Sequence, residues 1–290
     1  MEGRSEGHSP KGTKKRRERL LLGLAIKLFG ISLHPLGLYA RGVRNARNLN
    51  LTELDLALDS LPQEFDGYRI LQLSDLHVDA MSENLESASR LVSDFEVDLC
   101  VFTGDYRHRV TGPFGHILPP ISQLLKRVQA RDGIYGILGN HDSADMVEAL
   151  EDLGIRLLIN ESVSIQRDGA QIHVTGTDDV HHFYTSEAAH ALGDAPAGFK
   201  IALVHSAELA PIAAEHGFGL YLSGHTHGGQ VCLPGGRPIV TRMRGYRKFA
   251  SGLWRCGAMI GYTSTGVGVA SPTVRFNTRG EVVLMTLKRA

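Results

Sequence analysis

The chain has 290 residues, of which 42% are hydrophobic and 21% are charged, as in an ordinary soluble globular protein. This composition excludes a disordered chain, a collagen-like repeat and a polytopic membrane protein. Basic and acidic residues both number 31, so the net charge is zero and no nucleic-acid partner is expected. The three cysteines leave at least one unpaired thiol and form no CxxC pair, which favours a reducing compartment.

The N-terminus combines a basic run with an apolar run. Residues 11–19 contain six basic residues and one acidic residue, and residues 20–40 are mainly apolar but interrupted by Lys27. We therefore expect a basic, disordered tail over residues 1–19 and a membrane-associating segment over residues 20–48. Three arrangements of the apolar run remain open: a helix packed on the domain, a helix on the membrane surface, and a helix that spans the bilayer.

Downstream of residue 50 the pattern is typical of alternating strands and helices. Residues 51–62 alternate apolar and polar side chains, which predicts a half-buried strand. Further apolar runs that end in polar residues predict strands within residues 69–77, 98–106, 133–142, 200–206 and 219–229. Helices are predicted within residues 82–95, 119–130 and 143–153. Strand–helix alternation followed by a strand-rich region predicts a layered α/β domain over residues 49–290.

Two hairpins are also predicted. Residues 162–176 have the pattern of a hairpin around Asp168–Gly169, and residues 274–288 have the pattern of a second one that turns at residues 277–280. No internal repeat follows residue 50, so one domain with an N-terminal extension is the simplest division.

The predicted strand ends carry side chains that bind metals. They are Asp75, His77, Asp105, Asn140, His141, His205, His225 and His227. Loops beyond the carboxyl ends of strands converge on one crevice in open α/β sheets, so we expect these side chains to meet. Alternation along an extended segment would place Asp75 and His77 on one side, and likewise His225 and His227. Glycines at 104, 139 and 224 predict sharp turns at the strand exits.

Five ordered motifs resemble those of the calcineurin-like metallophosphoesterase superfamily. They are D-x-H at Asp75–His77, G-D at Gly104–Asp105, G-N-H-D at Gly139–Asp142, the single His205, and G-H-T-H at Gly224–His227. The stretches FDGYRILQLSDLH, FTGDYRHR, LSGHTHGGQVCLP and VRFN resemble the bacterial YkuE/YaeI-like phosphodiesterase branch, which includes UDP-2,3-diacylglucosamine pyrophosphatases. The resemblance covers residues 50–290. It implies a four-layer αββα sandwich of two mixed β-sheets with a dinuclear metal site at the strand C-termini.

The resemblance also implies a role for each motif residue. The implied metal ligands are Asp75, His77 and His227 for the first ion, and Asn140, His205 and His225 for the second. Asp105 would bridge both ions. A mixed carboxylate, amide and imidazole set without thiolate suits Mn²⁺ best, with Fe²⁺ or Zn²⁺ as alternatives. His141 would be the catalytic histidine, and Asp142 would hold its ring.

Two basic clusters are candidates for contact with an anionic substrate. Many family members have an acidic residue three positions after the aspartate of G-D, whereas the run that follows Asp105 here is basic. We expect Arg107 and Arg109 to bind substrate, because arginine forks match phosphate oxygens. The same expectation applies to Arg244 and Arg247. The alternatives are a solvated loop for the first cluster, and a lipid head group or water for the second.

These features predict a two-metal hydrolase of phosphodiester or pyrophosphate bonds in a membrane-associated substrate such as UDP-2,3-diacylglucosamine. The alternatives are a soluble general phosphodiesterase or nuclease, and a non-catalytic metal-binding scaffold. The expected partners are a phosphoester or nucleotide-lipid substrate and a membrane surface reached through the N-terminal segment. The expected location is the bacterial inner membrane on its cytoplasmic face, although a spanning helix would place the domain outside by its charge asymmetry. No oligomeric state is predicted.

Overall fold

Two mixed β-sheets of six strands each organise the fold. A computed structural model describes residues 23–35, 37–93, 95–179, 186–241, 243 and 246–290. The strands are β1 (Asn50–Leu58), β2 (Arg69–Leu73), β3 (Glu96–Val97), β4 (Leu99–Phe102), β5 (Gln129–Ala130), β6 (Ile134–Gly136), β7 (Arg156–Leu157), β8 (Glu161–Arg167), β9 (Ala170–Gly176), β10 (Phe199–Leu203), β11 (Leu220–Ser223), β12 (Gly252–Cys256), β13 (Met259–Thr263) and β14 (Glu281–Arg289). The helices are α1 (Leu38–Arg47), α2 (Glu83–Val92), α3 (Leu118–Leu125), α4 (Val147–Asp152), α5 (Ser186–Gly193) and α6 (Ala210–Glu215).

The first sheet has the order β1-β14-β2-β4-β6-β7 and the second has the order β12-β13-β11-β10-β9-β8. In the first sheet all neighbours are parallel except β14 and β2. In the second sheet the two outermost pairs are antiparallel and the inner pairs are parallel. The strands β3 and β5 form a separate two-stranded sheet.

Apolar side chains fill the space between the two sheets and cover their outer faces. The central core joins residues such as Ile70 and Val101 of the first sheet to Val174 and Ile201 of the second. Helices α2 and α3 cover the outer face of the first sheet, and α5 and α6 cover that of the second. The central strands are therefore covered on both faces, which explains why β4 is a continuous apolar run rather than an alternating one. The predicted four-layer αββα sandwich is confirmed.

The two predicted hairpins have different outcomes. Strands β8 and β9 pair antiparallel around Asp168–Gly169, which confirms the first. The second prediction is wrong: β14 pairs with β1 on one side and β2 on the other, so neither of its edges is available to residues 274–276. Phe276 instead forms a bridge with Val231. The turn residues at 277–280 carry only local information, so they could not show that β14 pairs with two strands that are distant in sequence.

The described part of the N-terminal segment packs against the loop that precedes β14. Residues 23–32 are helical, and a Cβ added at Gly30 would lie 3.2 Å from Cβ of Pro272. Tyr39 stacks on His34 and its hydroxyl lies 3.1 Å from Oγ1 of Thr273. Among the described residues, no helix has both the length and the apolar character needed to cross a bilayer. The predicted tail over residues 1–19 lies outside the described residues.

Candidate metal centre

Five strand ends bring the predicted ligands to one edge of the two sheets. In the first sheet, residues 75–77 follow β2, Asp105 follows β4 and Asn140 follows β6. In the second sheet, His205 follows β10 and residues 225–227 follow β11. The side chains come together because these strands run in the same direction and end at the same edge.

The ligand-bearing segments are not extended, which corrects the predicted cause of their convergence. Backbone φ is 49° at Asp75, 40° at His77, 59° at Asp105, 70° at His225 and 52° at His227, so all five residues lie in the left-handed region. Such residues are costly outside glycine and cluster at functional sites, where the surrounding structure holds them. At these five residues the chain turns, so their side chains are not directed into the clusters by alternation along a strand.

Glycines allow the ligand loops to approach one another. A Cβ at Gly139 would collide with Oδ1 of Asp105, and a Cβ at Gly224 would collide with Oγ of Ser74. The predicted sharp turn applies to Gly104, where φ is 89°. At Gly139 and Gly224 glycine is needed for another reason: a larger residue would not fit against the neighbouring loop.

A first cluster consists of Asp75, His77 and His227, whose ligand atoms all lie within 4.8 Å of one another. Nε2 of His77 and Nε2 of His227 are 3.0 Å apart, and Nε2 of His227 is 3.5 Å from Oδ1 of Asp75. The two oxygens of Asp75 also accept the backbone N–H of His225. These three residues are the set that the resemblance implied for the first ion.

A second cluster consists of Asp105, His205 and His225, joined by the side-chain oxygen of Asn140. Oδ1 of Asn140 lies 2.7 Å from Nδ1 of His225 and 3.2 Å from Nε2 of His205. Oδ2 of Asp105 lies 3.4 Å from Nε2 of His205 and 3.5 Å from Nε2 of His77 in the first cluster. One carboxylate oxygen thus stands between the two clusters, in the position that a bridging ligand requires.

The donor set of both clusters fits divalent cations. Nδ1 of His77 faces the carbonyl oxygen of Arg107, and Nδ1 of His205 faces that of Thr103. A carbonyl oxygen only accepts, so we assign the ring hydrogen to Nδ1, which leaves the Nε2 lone pairs directed into the clusters. Lone pairs and carboxylate oxygens at these distances repel one another unless a positive charge lies between them. Metal-bound imidazoles are oriented in the same way by an outer carbonyl.

Burial and mutual charge shift the ionisation of the ligands. Burial lowers the pKa of His77 to about 3, so the ring is neutral and able to bind a metal ion at neutral pH. Burial raises the pKa of Asp75 to about 6. Burial also opposes protonation of His205, but the Asp105 carboxylate outweighs this effect and raises the pKa of His205 to about 10. The second cluster therefore attracts a positive charge, which a metal ion would supply in place of the proton.

Asp142 does not hold the ring of His141, which corrects that prediction. Its carboxylate accepts the backbone N–H groups of Asp105, Tyr106 and Gly139 at 2.7–3.0 Å. The buried carboxylate thus joins two ligand loops. Nδ1 of His141 donates instead to the carbonyl oxygen of His108, and its backbone N–H donates to Oδ1 of Asp105 at 2.9 Å.

Arg107 is occupied within the protein, which corrects its predicted role in substrate binding. Its side chain is buried and donates to the carbonyl oxygens of His141, Val110 and Gly112 and to Oγ of Ser143. These hydrogen bonds occupy the guanidinium. Arg107 therefore stabilises the loop that carries His141 instead of binding a phosphate.

The other three arginines proposed for substrate binding stay predictions. Arg109 is exposed, and its backbone N–H donates to the carboxylate of Asp79. Arg247 is also exposed, while Arg244 lies outside the described residues.

His108 is a site residue that the sequence analysis missed, because it stands within a run that is conspicuous only for its charge. Its ring stacks on His141 with 5.4 Å between centroids and meets His77 edge-on at 5.3 Å. Asp79 accepts its backbone N–H, and Nε2 of His108 lies 3.2 Å from Oγ of Ser271.

We expect His108→Ala to lower kcat about 10- to 100-fold, because the His141 ring loses its stacking partner while keeping the backbone carbonyl of residue 108. His108→Phe keeps the stack and is expected to restore most of kcat. Steady-state kinetics on a chromogenic phosphodiester, with metal content measured in parallel, would test this. Equal activity of the alanine and phenylalanine variants would show that stacking has no part in positioning His141.

A buried arginine ties the ligand His227 to the loop before β14. Arg275 is fully buried, and its guanidinium donates to the carbonyl oxygens of His227 at 3.0 Å, Thr265 at 2.6 Å and Gly268 at 2.8 Å. Burial, the nearby His77 ring and the Arg275 guanidinium keep the pKa of His227 well below its usual value. The VRFN stretch therefore contributes a residue that fixes the backbone of a ligand, a role that its sequence did not indicate.

A cavity of about 270 Å³ opens beside the two clusters. Its polar end is formed by metal-cluster residues and by His141. Its walls are mainly apolar and come from three regions, the helical residues 23–32, the loop that follows β11 and the loop before β14: Ala25, Ile26, Phe29, Val231, Ile239, Val240 and Pro272. The cavity can therefore receive a molecule with one phosphate-bearing end and one apolar end.

Comparisons with known proteins agree with this geometry. The chain is 29% identical to the metallophosphoesterase YkuE of Bacillus subtilis, over 83% of this chain and 86% of that protein. It is 26% identical to Phosphodiesterase YaeI of Escherichia coli, over 76% of this chain and 82% of that protein. A shorter match of 101 residues, 37% identical, covers 34% of this chain and 30% of UDP-2,3-diacylglucosamine pyrophosphatase LpxG of Chlamydia muridarum.

The family match covers the part of the chain that supplies all the clustered ligands. Residues 68–229 match the family described as Calcineurin-like phosphoesterase. Members of this family are metal-dependent hydrolases of phosphoesters, which is the chemistry that the two adjoining ligand clusters suit. This chain, a phosphoester hydrolase, belongs to the calcineurin-like phosphoesterase family.

Proposed function

We propose that the protein hydrolyses a phosphodiester or pyrophosphate bond in an amphipathic, membrane-associated substrate such as UDP-2,3-diacylglucosamine. The observation that carries the proposal is the cavity, which places apolar walls directly against the metal clusters. A small polar phosphoester has no apolar part that could pack against Ile26, Phe29 and Ile239 in this position. The similarity to LpxG over 101 residues supports the same substrate class.

The metal clusters supply electrostatic stabilisation. We propose Mn²⁺ as the ion, since the ligands are carboxylate, amide and imidazole groups without a thiolate. Two bound divalent ions stabilise the charge on phosphoryl oxygens and lower the pKa of a water that attacks phosphorus. Asp75, His77 and His227 would hold one ion, Asn140, His205 and His225 the other, and Asp105 both.

His141 is the proposed general acid. Its Nδ1 donates to the carbonyl oxygen of His108, which leaves Nε2 as the ring nitrogen available to a substrate in the cavity that His141 lines. As the water oxygen forms its bond to phosphorus, the bond from phosphorus to the leaving-group oxygen breaks. The His141 ring, protonated on both nitrogens, delivers its Nε2 proton to that departing oxygen, and the proton lost by the attacking water passes to solvent.

We propose the cytoplasmic face of the bacterial inner membrane as the location. Cys100 and Cys232 are buried free thiols, which suits a reducing compartment. A nucleotide-lipid substrate would be available at that face. The N-terminal segment would bring the domain to the membrane surface.

The deciding experiment compares two substrates in detergent with Mn²⁺: UDP-2,3-diacylglucosamine and a chromogenic phosphodiester. We expect the lipid nucleotide to give the higher kcat/KM. Phe29→Ala removes an apolar wall, so the ratio of kcat/KM between the two substrates is expected to fall about 10- to 100-fold, which corresponds to the transfer free energy of one buried aromatic side chain. Leu253→Ala, an exposed leucine of β12 outside the cavity, is the matched control.

Hydrolysis of the chromogenic diester alone would contradict the lipid substrate and leave a general phosphodiesterase. Turnover of single-stranded polynucleotide in preference to both would indicate a nuclease. An equal effect of Phe29→Ala and Leu253→Ala would show that the cavity does not bind the apolar part of the substrate.

A further inference from the structure

Exposed apolar side chains are concentrated in two segments that also contribute walls of the cavity. Among the described residues, ten large hydrophobic side chains are exposed, and eight belong to residues 23–32 and 231–248. We call these eight the apolar rim: Leu24, Leu28, Phe29, Ile31, Leu233, Ile239, Val240 and Tyr246. Isolated exposed apolar residues are normal, but a contiguous group marks an interaction surface.

Three of the eight members of the apolar rim stand at the cavity mouth. Phe29, Ile239 and Val240 line the cavity and are also 39%, 55% and 41% exposed. A side chain that lines a cavity and meets solvent must stand at its opening. The apolar surface of the rim is therefore continuous with the apolar walls inside.

The helical residues 23–32 present two apolar faces. Ala25, Ile26 and Phe29 line the cavity, while Leu24, Leu28 and Ile31 follow the helical spacing of one outward face. Leu28 is 56% exposed and Ile31 is 65% exposed. A helix that is apolar on nearly every side is ordinarily buried on every side. The exposed outward face of this helix is therefore expected to contact another apolar medium.

The charge of the surrounding chain identifies that environment. Neither residues 23–47 nor residues 231–248 contain an aspartate or glutamate, although the whole chain has 31 acidic residues. The two segments contain nine basic residues: Lys27, Arg41, Arg44, Arg47, Arg237, Arg242, Arg244, Arg247 and Lys248. All seven of these that the structure describes are exposed: Lys27, Arg41, Arg44, Arg47, Arg237, Arg247 and Lys248. Of the seven, Arg47 pairs with the carboxylate of Glu83. Apolar side chains in segments whose charged residues are all cations are typical of surfaces that lie on anionic lipid.

We propose that the apolar rim docks on the surface of an anionic lipid bilayer, with the cavity mouth open to the membrane. The inference rests on the proposed function and extends it, because an amphipathic substrate could then pass from the bilayer into the cavity without entering water. The docking surface has two parts, the helical residues 23–32 and the described residues of the segment 231–248. A protein bound on the rim would close the mouth, whereas a bilayer supplies the substrate there.

The test is sedimentation of the full chain with vesicles of phosphatidylcholine, alone or mixed with phosphatidylglycerol. We expect binding to the mixed vesicles and about tenfold weaker binding to phosphatidylcholine alone, because the basic residues add electrostatic attraction. Leu28→Glu and Leu233→Glu probe the two parts of the rim, and each is expected to weaken binding about tenfold or more. Leu253→Glu is the matched control, since Leu253 has the same 56% exposure as Leu28 but lies outside the rim.

Two further measurements keep docking separate from catalysis. Leu28 and Leu233 do not line the cavity, so their variants are expected to keep full turnover of a soluble chromogenic diester without vesicles. Asp105→Ala is expected to bind vesicles as the wild type does while lacking activity. If the chain binds vesicles but does not hydrolyse the lipid nucleotide, the proposed substrate is wrong and the proposed docking surface stands.

The proposal is overturned if the chain binds neither vesicle, or if Leu253→Glu weakens binding as much as Leu28→Glu. A dimer detected by analytical ultracentrifugation and dissociated by Ile31→Glu would also overturn it, since the rim would then be an interface between copies of the chain. Loss of binding in Leu28→Glu with no change in Leu233→Glu would remove the loop from the docking surface and contradict the two-part face.

Discussion

Asp105→Ala is expected to remove both metal binding and activity, with kcat/KM falling at least about 1,000-fold. One oxygen of this carboxylate lies 3.5 Å from Nε2 of His77 and 3.4 Å from Nε2 of His205, so it belongs to both ligand clusters. The other oxygen accepts the backbone N–H of His141. Its loss therefore weakens two metal sites and loosens the loop of the proposed acid at once.

The measurement is metal content by mass spectrometry, together with kinetics on a chromogenic diester over a range of Mn²⁺ concentrations. Asp168→Asn, in the exposed turn between β8 and β9, is the control and is expected to behave as the wild type. A variant of Asp105 that keeps two ions per chain would contradict the bridging position.

His141→Ala is expected to lower kcat about 100- to 10,000-fold while the metal content stays near that of the wild type. The reason is that the His141 side chain lies beside the clusters but contributes no atom to the two sets that include Asp105 and Asp75. Its backbone N–H, which donates to Asp105, remains in the variant.

Leaving-group dependence distinguishes a proton donor from a merely structural histidine. A nitrophenolate is a stable anion and needs little protonation, whereas an alkoxide needs a proton as it departs. We therefore expect His141→Ala to lose much more activity on an alkyl ester than on a nitrophenyl ester. Equal losses on the two esters, or a loss of bound metal, would remove the general-acid role.

The sequence predicted the candidate ligand set because each of these side chains lies shortly after a buried strand. Asp105 and Asn140 are separated along the chain, but they follow the parallel strands β4 and β6, which end at the same edge of the first sheet, so they are expected to meet. The glycines and the ordered motifs pointed to the same family that the comparison finds for residues 68–229. The apolar runs that predicted β2, β4, β10 and β11 are buried on both faces, which is why they were easy to recognise.

Only the tertiary structure assigned the supporting contacts. Charge suggested that Arg107 faces substrate and the family resemblance implied that Asp142 holds His141, yet both side chains bind backbone groups of loops distant in sequence. Buried polar groups must satisfy their hydrogen bonds with whatever the fold brings near, and sequence spacing carries no record of those neighbours.

The sequence by itself indicated which side chains could bind metal and predicted that they follow the carboxyl ends of strands. It also showed an apolar run next to basic residues. The structure decided that this run forms one wall of the cavity and that residues 239–241 form another. It likewise decided that Arg275 fixes His227 and that β14 inserts between β1 and β2. The physical reason is that local patterns specify burial and hydrogen-bonding capacity, whereas long-range packing chooses the partners that satisfy them.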